Sequence, residues 1–243
     1  MSKKLLTIRF LGTNYCGWQV QKNGVSVQEC ICNALKKLYN ADINATGCSR
    51  TDSGVHANKY CLHFEDTKNL NNQNIVKALN VYLPNDISVI SCKDVDDDFH
   101  ARYSCKEKTY KYRIYLGERN PFLEGRALRY KFDINLDKIN AFAKDLIGKN
   151  DFSSFCAANS SVVDKVRNLK EAKATFEDGC IVFTFTADGF LYNMVRILSG
   201  TFLDVNEGKI DVNSAKEILK NKNRILAGKT LPPYGLYLEE IKY

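Results

Sequence analysis

Lys106-Glu107-Lys108-Thr109-Tyr110-Lys111-Tyr112-Arg113-Ile114-Tyr115-Leu116 is the stretch on which the fold turns. Its residues alternate as a strand's do, with Lys108, Tyr110 and Tyr112 on one face and Lys111 and Arg113 on the other. The residues before it read as strand, helix, strand, helix, strand, and those after it as a similar mix. The strand therefore opens a second half of the chain.

Upstream, Lys4 to Phe10 reads as a strand leading into the turn-rich run Gly12-Thr13-Asn14-Tyr15-Cys16-Gly17. Ser26 and Glu29 form a capping-box pattern, opening a helix with Val27, Ile31, Ala34, Leu35 and Leu38 on one face. Tyr60, Leu62 and Phe64 alternate with Cys61 and His63 as a half-buried strand. Asn74 to Leu83 suits a helix stopped by Pro84, and Ile87 to Cys92 another strand.

Downstream, Leu136 to Ile147 reads as a helix ending at Gly148, and Leu169 to Phe176 with Ile181 to Ala187 as a hairpin around Asp178-Gly179. Leu191, Met194, Val195, Leu198 and Phe202 recur at helical spacing within 190–205. Val212 to Lys220 adds a short helix and Leu236 to Ile241 a closing strand. This order, with no long linker, predicts an α+β protein of two related halves, 1–105 and 106–243, packed closely enough to share one sheet.

The chain has 243 residues, 44% hydrophobic and 26% charged, the makeup of a folded soluble protein. No apolar run approaches the roughly 20 residues a membrane helix needs. Arg9 cuts the stretch after Lys3-Lys4-Leu5-Leu6 too short for a signal peptide, so a cytoplasmic location is expected. Nine cysteines, an odd number with no C-x-x-C pair, read as reduced thiols. His56, His63 and His100 add no metal spacing, and no metal site is expected.

The formal charge of +7 is unevenly placed. Between Lys106 and Lys131 eight Lys/Arg face three Glu, a net +5. Tyr110, Tyr112, Tyr115, Phe122 and Tyr130 are interleaved with them, and Tyr103 stands just before. Cations among aromatics can hold phosphates while stacking bases, which makes Lys108, Lys111 and Arg113 candidate RNA contacts. The same composition also fits a solvated strand face over buried tyrosines.

Ser49-Arg50-Thr51-Asp52-Ser53-Gly54-Val55-His56-Ala57 carries the chemistry. Small residues and a permissive glycine suit a tight turn from which one carboxylate can protrude, with a guanidinium two positions earlier. An Asx-turn from Asp52 onto Gly54, neutralised by Arg50, fits these residues too. His56 reads as a hydrogen-bond donor fixing the loop rather than a base, and Trp18 as a core residue.

Together with Gly12-Thr13-Asn14-Tyr15-Cys16-Gly17-Trp18-Gln19-Val20-Gln21, Phe99-His100-Ala101-Arg102-Tyr103, Tyr110-Lys111-Tyr112, the run 189–196 and Pro232-Pro233-Tyr234-Gly235-Leu236-Tyr237-Leu238, that loop resembles the tRNA pseudouridine synthase A family. The resemblance implies two RRM-like or ferredoxin-like halves sharing a mostly antiparallel central sheet with helices on one face. It implies isomerisation of uridine to pseudouridine at positions 38, 39 and 40 of the tRNA anticodon stem-loop, with base flipping and without a cofactor. Asp52 becomes the essential carboxylate, attacking the sugar or acting as a base at its 2′ carbon. Arg50 would occupy the space left by the flipped nucleotide, Tyr110 would stack on the uracil, Arg196 would pair with Asp52, and Leu236 would line the pocket. A homodimer cradling one tRNA, with no membrane partner, is implied as well.

Cys48-Ser49, Asn58-Lys59-Tyr60 and Leu231 depart from the family's usual residues without touching the acid, the arginines or the tyrosine. A non-catalytic RNA-binding protein with paired RRM-like halves is the other class that fits, but it has no use for an acid presented toward phosphates. A glycoside hydrolase needs a second carboxylate at a fixed distance, and the matched blocks hold none.

Overall fold

The first strand, β1 (Ser2–Phe10), buries Leu6, Ile8 and Phe10 in a computed structural model that describes residues 2–243. α1 (Val27–Tyr39) starts at the expected capping box: Glu29 N donates to Ser26 Oγ at 3.2 Å and Ser26 N to Glu29 Oε2 at 3.5 Å. A two-residue strand β2 (Thr46–Gly47), then β3 (His56–Asp66), α2 (Asn72–Tyr82) and β4 (Ile87–Val95) come next. Asn71 starts α2 two residues earlier than the sequence predicts, because its side chain accepts from Gln73 N at 2.9 Å. β1 lies between β3 and β4, antiparallel to both.

The second unit opens with β5 (Glu107–Leu116) and continues through β6 (Leu128–Tyr130), α3 (Leu136–Lys144), β7 (Gly148–Asp151), β8 (Val166–Glu177), β9 (Cys180–Ala187), α4 (Met194–Asn206) and α5 (Ala215–Asn221). Its sheet runs β5-β9-β8-β7, all antiparallel, with β6 parallel on β5. β8 and β9 form the expected hairpin, with φ of +50° at Asp178 and +76° at Gly179, as a primed turn requires. α4 starts later than its periodicity suggests, because Asn193 takes φ +60° and breaks the helical run before Met194.

Phe202 of α4 is the centre of this unit's core. Its ring meets Phe183 and Phe185 of β9, each at 5.2 Å, and Phe142 of α3 at 6.2 Å. Truncating such a residue leaves a cavity its neighbours cannot refill, so Phe202→Ala should lower unfolding free energy by about 3–5 kcal/mol, read from urea melts.

The chain ends with β10 (Leu236–Lys242). Tyr237 and Leu238 pair in parallel with His56 and Ala57, and Lys106 N donates to Lys242 O at 2.8 Å. The compact units are therefore Met1–Lys106 with Tyr237–Tyr243, and Glu107–Leu236. The division read from the sequence, 1–105 and 106–243, differs at the C-terminus because this ladder joins residues far apart in the chain. Each unit is mixed α and β with a mostly antiparallel sheet.

His63 of β3 is 9% exposed and its Nδ1 accepts from Ala101 N at 3.1 Å. Burial, with His100 and Lys3 adding positive charge, pushes its pKa down to about 4. Unfolded, the ring takes a proton near its ordinary 6.5; folded, it resists until about 4. The unfolded state thus binds more protons between those values, and stability contributed by the neutral ring is lost as pH falls through that window. Urea melts at pH 7 and pH 4.5 should show a larger drop for the native chain than for His63→Gln.

Candidate active site

Asp52 lies half-buried on loop 48–55, between β2 and β3. The loop's backbone holds it in place: Val55 N donates to Asp52 O at 3.2 Å, and Gly54 at φ +79° completes the reversal. Ser53 Oγ and Gly54 N both donate to Tyr15 O, at 3.2 and 3.3 Å, and Trp18 N donates to Thr51 O at 3.4 Å. Tyr60 Oη donates to Ser49 O, and Cys48 N to Cys61 O at 2.9 Å. The turn expected from the residue types is therefore anchored from both ends. Arg50 is exposed to solvent.

Three glycines permit these approaches. A Cβ on Gly12 would stand 2.0 Å from Val55 O, and one on Gly17, whose φ is +97°, 2.3 Å from Thr51 O. A Cβ on Gly47 would stand 2.0 Å from Tyr60 Oη and 2.5 Å from Trp18 Cε2. Trp18 is buried and stacked on Tyr60 at 4.4 Å, the core role the sequence predicts.

His56 is sealed from solvent, and Gly12 N donates to its Nδ1 at 2.8 Å. It fixes the loop as expected, but as an acceptor at that nitrogen rather than a donor. The reason is that Gly12's N–H is turned inward and needs a partner. The ring also packs on Tyr237 of β10 at 4.7 Å, so the C-terminal strand supports the Asp52 loop.

In the second unit, Tyr110 and Tyr112 are buried on the same face of β5. Tyr110 meets Phe190 edge-on at 5.1 Å. Tyr112 Oη donates to Pro232 O at 2.8 Å, and burial raises its pKa well above the usual phenol range. Gly235 carries no side chain where a Cβ would stand 2.7 Å from Tyr112 Cζ, which sets the start of β10 against β5's tyrosine face. Leu236 is buried beside it in sequence.

Arg196, half-buried on α4, is held by two acceptors: Nε donates to Leu231 O at 2.7 Å and Nη1 to Asn193 Oδ1 at 2.8 Å. Leu231 N donates back to Arg196 O at 3.2 Å. The segment carrying Leu231 lies directly on the helix, where a Cβ on Gly200 would stand 1.8 Å from Lys229 O. The sequence marks neither Asn193 nor the Leu231 carbonyl as a support; its one available signal is an asparagine immediately before a helical run.

Of the candidate RNA contacts, Lys111 is committed to Glu177 at 2.7 Å. That hydrogen bond, with one from Thr175, holds the Glu177 carboxyl below the usual carboxylate range. Lys108 and Arg113 are half-buried on β5. Among the described residues, no group of three or more His, Cys, Asp or Glu is placed to hold a metal ion, and no helix is long and apolar enough to cross a membrane.

The family described as tRNA pseudouridine synthase matches residues 6–104 and 142–243, leaving Tyr110 between the two matched segments. The chain is 43% identical over 244 residues to tRNA pseudouridine synthase A of Caldicellulosiruptor saccharolyticus, covering 100% of both chains. It is 40% identical to that of Anoxybacillus flavithermus, over 98% of this chain and 97% of the relative. It is 39% identical to that of Clostridium acetobutylicum, over 100% of both. With Asp52 on an anchored turn and matched segments spanning most of its length, the chain belongs to the tRNA pseudouridine synthase family.

Proposed function

We propose that this protein isomerises uridine to pseudouridine in tRNA, at positions 38, 39 and 40 of the anticodon stem-loop. The observation that carries this reading is a single partly accessible carboxylate, Asp52, on a turn whose backbone is anchored on both sides. Family membership supplies the reaction class.

In this reaction the bond from ribose C1′ to uracil N1 breaks, the base rotates, and C1′ rejoins at C5. The proton lost from C5 is balanced by one gained at N1, so no oxidant, reductant or water is consumed. Asp52 serves as nucleophile at the sugar or as base at its 2′ carbon. The target base must leave its stack to reach it, and the solvent-exposed Arg50 is suited to take the vacated place. Tyr110 offers an aromatic face to the extruded uracil, Leu236 an apolar wall, and Arg196 a fixed cation to balance the acid's charge. The working form is a homodimer in the cytoplasm.

Unmodified tRNA transcript labelled with tritium at uracil C5 tests this directly. Label should pass to water as pseudouridine forms, and chemical mapping should place the product at positions 38–40. Binding without label release would identify an RNA-binding protein instead.

A further inference from the structure

The aromatic residues of the basic segment divide sharply by burial. Tyr110, Tyr112, Tyr115 and Tyr130 are all buried, whereas Phe122 is 84% exposed. A lone exposed apolar ring is ordinary; what sets Phe122 apart is the loop built around it. Asn120 Oδ1 accepts from Phe122 N at 3.0 Å, and Asn120 O from Leu123 N at 3.1 Å. Leu123 O accepts from both Arg126 N and Ala127 N at 3.0 Å. Gly117 and Gly125 reverse the chain with φ of +88° and +68°.

Leu123, the next residue, turns inward onto the buried cluster of Tyr115, Ala127, Cys180 and Val182. The loop is thereby pinned at one side chain while the adjacent ring is held in water. Arg119, Arg126, Arg129 and Lys131 lie along 117–131, against two acids, Glu118 and Glu124. Arg119 Nε stands 3.6 Å from Glu124, which leaves the loop with a net positive charge.

We infer that Phe122 is a stacking platform for an unpaired base of the substrate RNA, with the loop's arginines beside the neighbouring phosphates. This rests on the RNA-modifying role proposed above. A phenyl ring has no hydrogen-bonding edge, so it recognises a base face rather than a base identity. A duplex hides its base faces, which limits the contact to unpaired nucleotides such as those of a tRNA loop. A pre-set loop orders little on binding, so the stacking energy is retained as affinity.

The test measures binding of a fluorescent unmodified tRNA transcript, and of a fully paired RNA duplex of equal length, over a salt series. Phe122→Ala should weaken tRNA binding on the order of tenfold with an unchanged salt slope, and leave duplex binding as it was. Phe122→Trp should keep native affinity. Arg119→Ala with Arg126→Ala should reduce the salt slope by about one to two. Native tRNA affinity in Phe122→Ala, an equal loss on the duplex, or a loss that merely tracks a changed sedimentation mass would overturn the inference. Pseudouridine formation by the native chain is scored separately. Its absence sinks the catalytic reading, while an active enzyme with an unaffected Phe122→Ala variant sinks only the platform.

Discussion

Asp52→Asn should fold, bind tRNA as tightly as the native chain, and form pseudouridine at least roughly a thousandfold more slowly. The hydrogen bonds that hold the turn's backbone do not use the carboxylate. Val55 N donates to Asp52 O at 3.2 Å, and Ser53 and Gly54 donate to Tyr15 O, all of which an asparagine preserves. What the amide cannot do is attack a sugar carbon or take a proton, and either loss stops the reaction. Tritium release from C5-labelled tRNA, with a melting curve on the same sample, separates the chemical defect from a folding one. Label release at a native rate would remove Asp52 from the mechanism.

Arg196→Lys should cost about a hundredfold to a thousandfold in turnover while leaving RNA affinity near native. Two acceptors orient the guanidinium, Leu231 O at 2.7 Å from Nε and Asn193 Oδ1 at 2.8 Å from Nη1. A lysine keeps the charge but has no plane for those acceptors to orient, so the cation would lose its direction. Asn193→Ala, which removes one support and leaves the arginine in place, should fall between native and Arg196→Lys in single-turnover rate. Equal rates for Arg196→Lys and the native chain would show that charge alone suffices, or that the residue stands outside the chemistry.

Local signals in the sequence translated well into structure. The Ser26–Glu29 capping box, the Asp178-Gly179 hairpin and the apolar spacing of α4 each depend on residues close in the chain, and each formed. The short strands β2, β6 and β7 were not legible, because two to four residues show no period. Nor was the partner of β10, since a ladder between residues 56 and 237 leaves no trace in composition.

The same divide runs through the candidate site. Arg50 and Asp52 stand out because small residues surround a charge, whereas the contacts that position them join residues far apart, as Gly12 does with Val55 and Gly17 with Thr51. His56 is readable as a loop-fixing residue, but its accepting role depends on where Gly12's N–H points. Lys111 looks available to phosphates in the sequence, yet Glu177 of a distant strand lies 2.7 Å away.

The pairing of β10 with β3 has a consequence for biosynthesis. The ribosome delivers 106 residues of the first unit and then all of the second before the strand that finishes the first unit's sheet emerges. Until Tyr237 and Leu238 arrive, the backbone of β3 at His56 and Ala57 is an open edge of the kind that captures stray strands. A nascent chain arrested anywhere before that point carries the acid-bearing loop without the support that Tyr237 gives to His56.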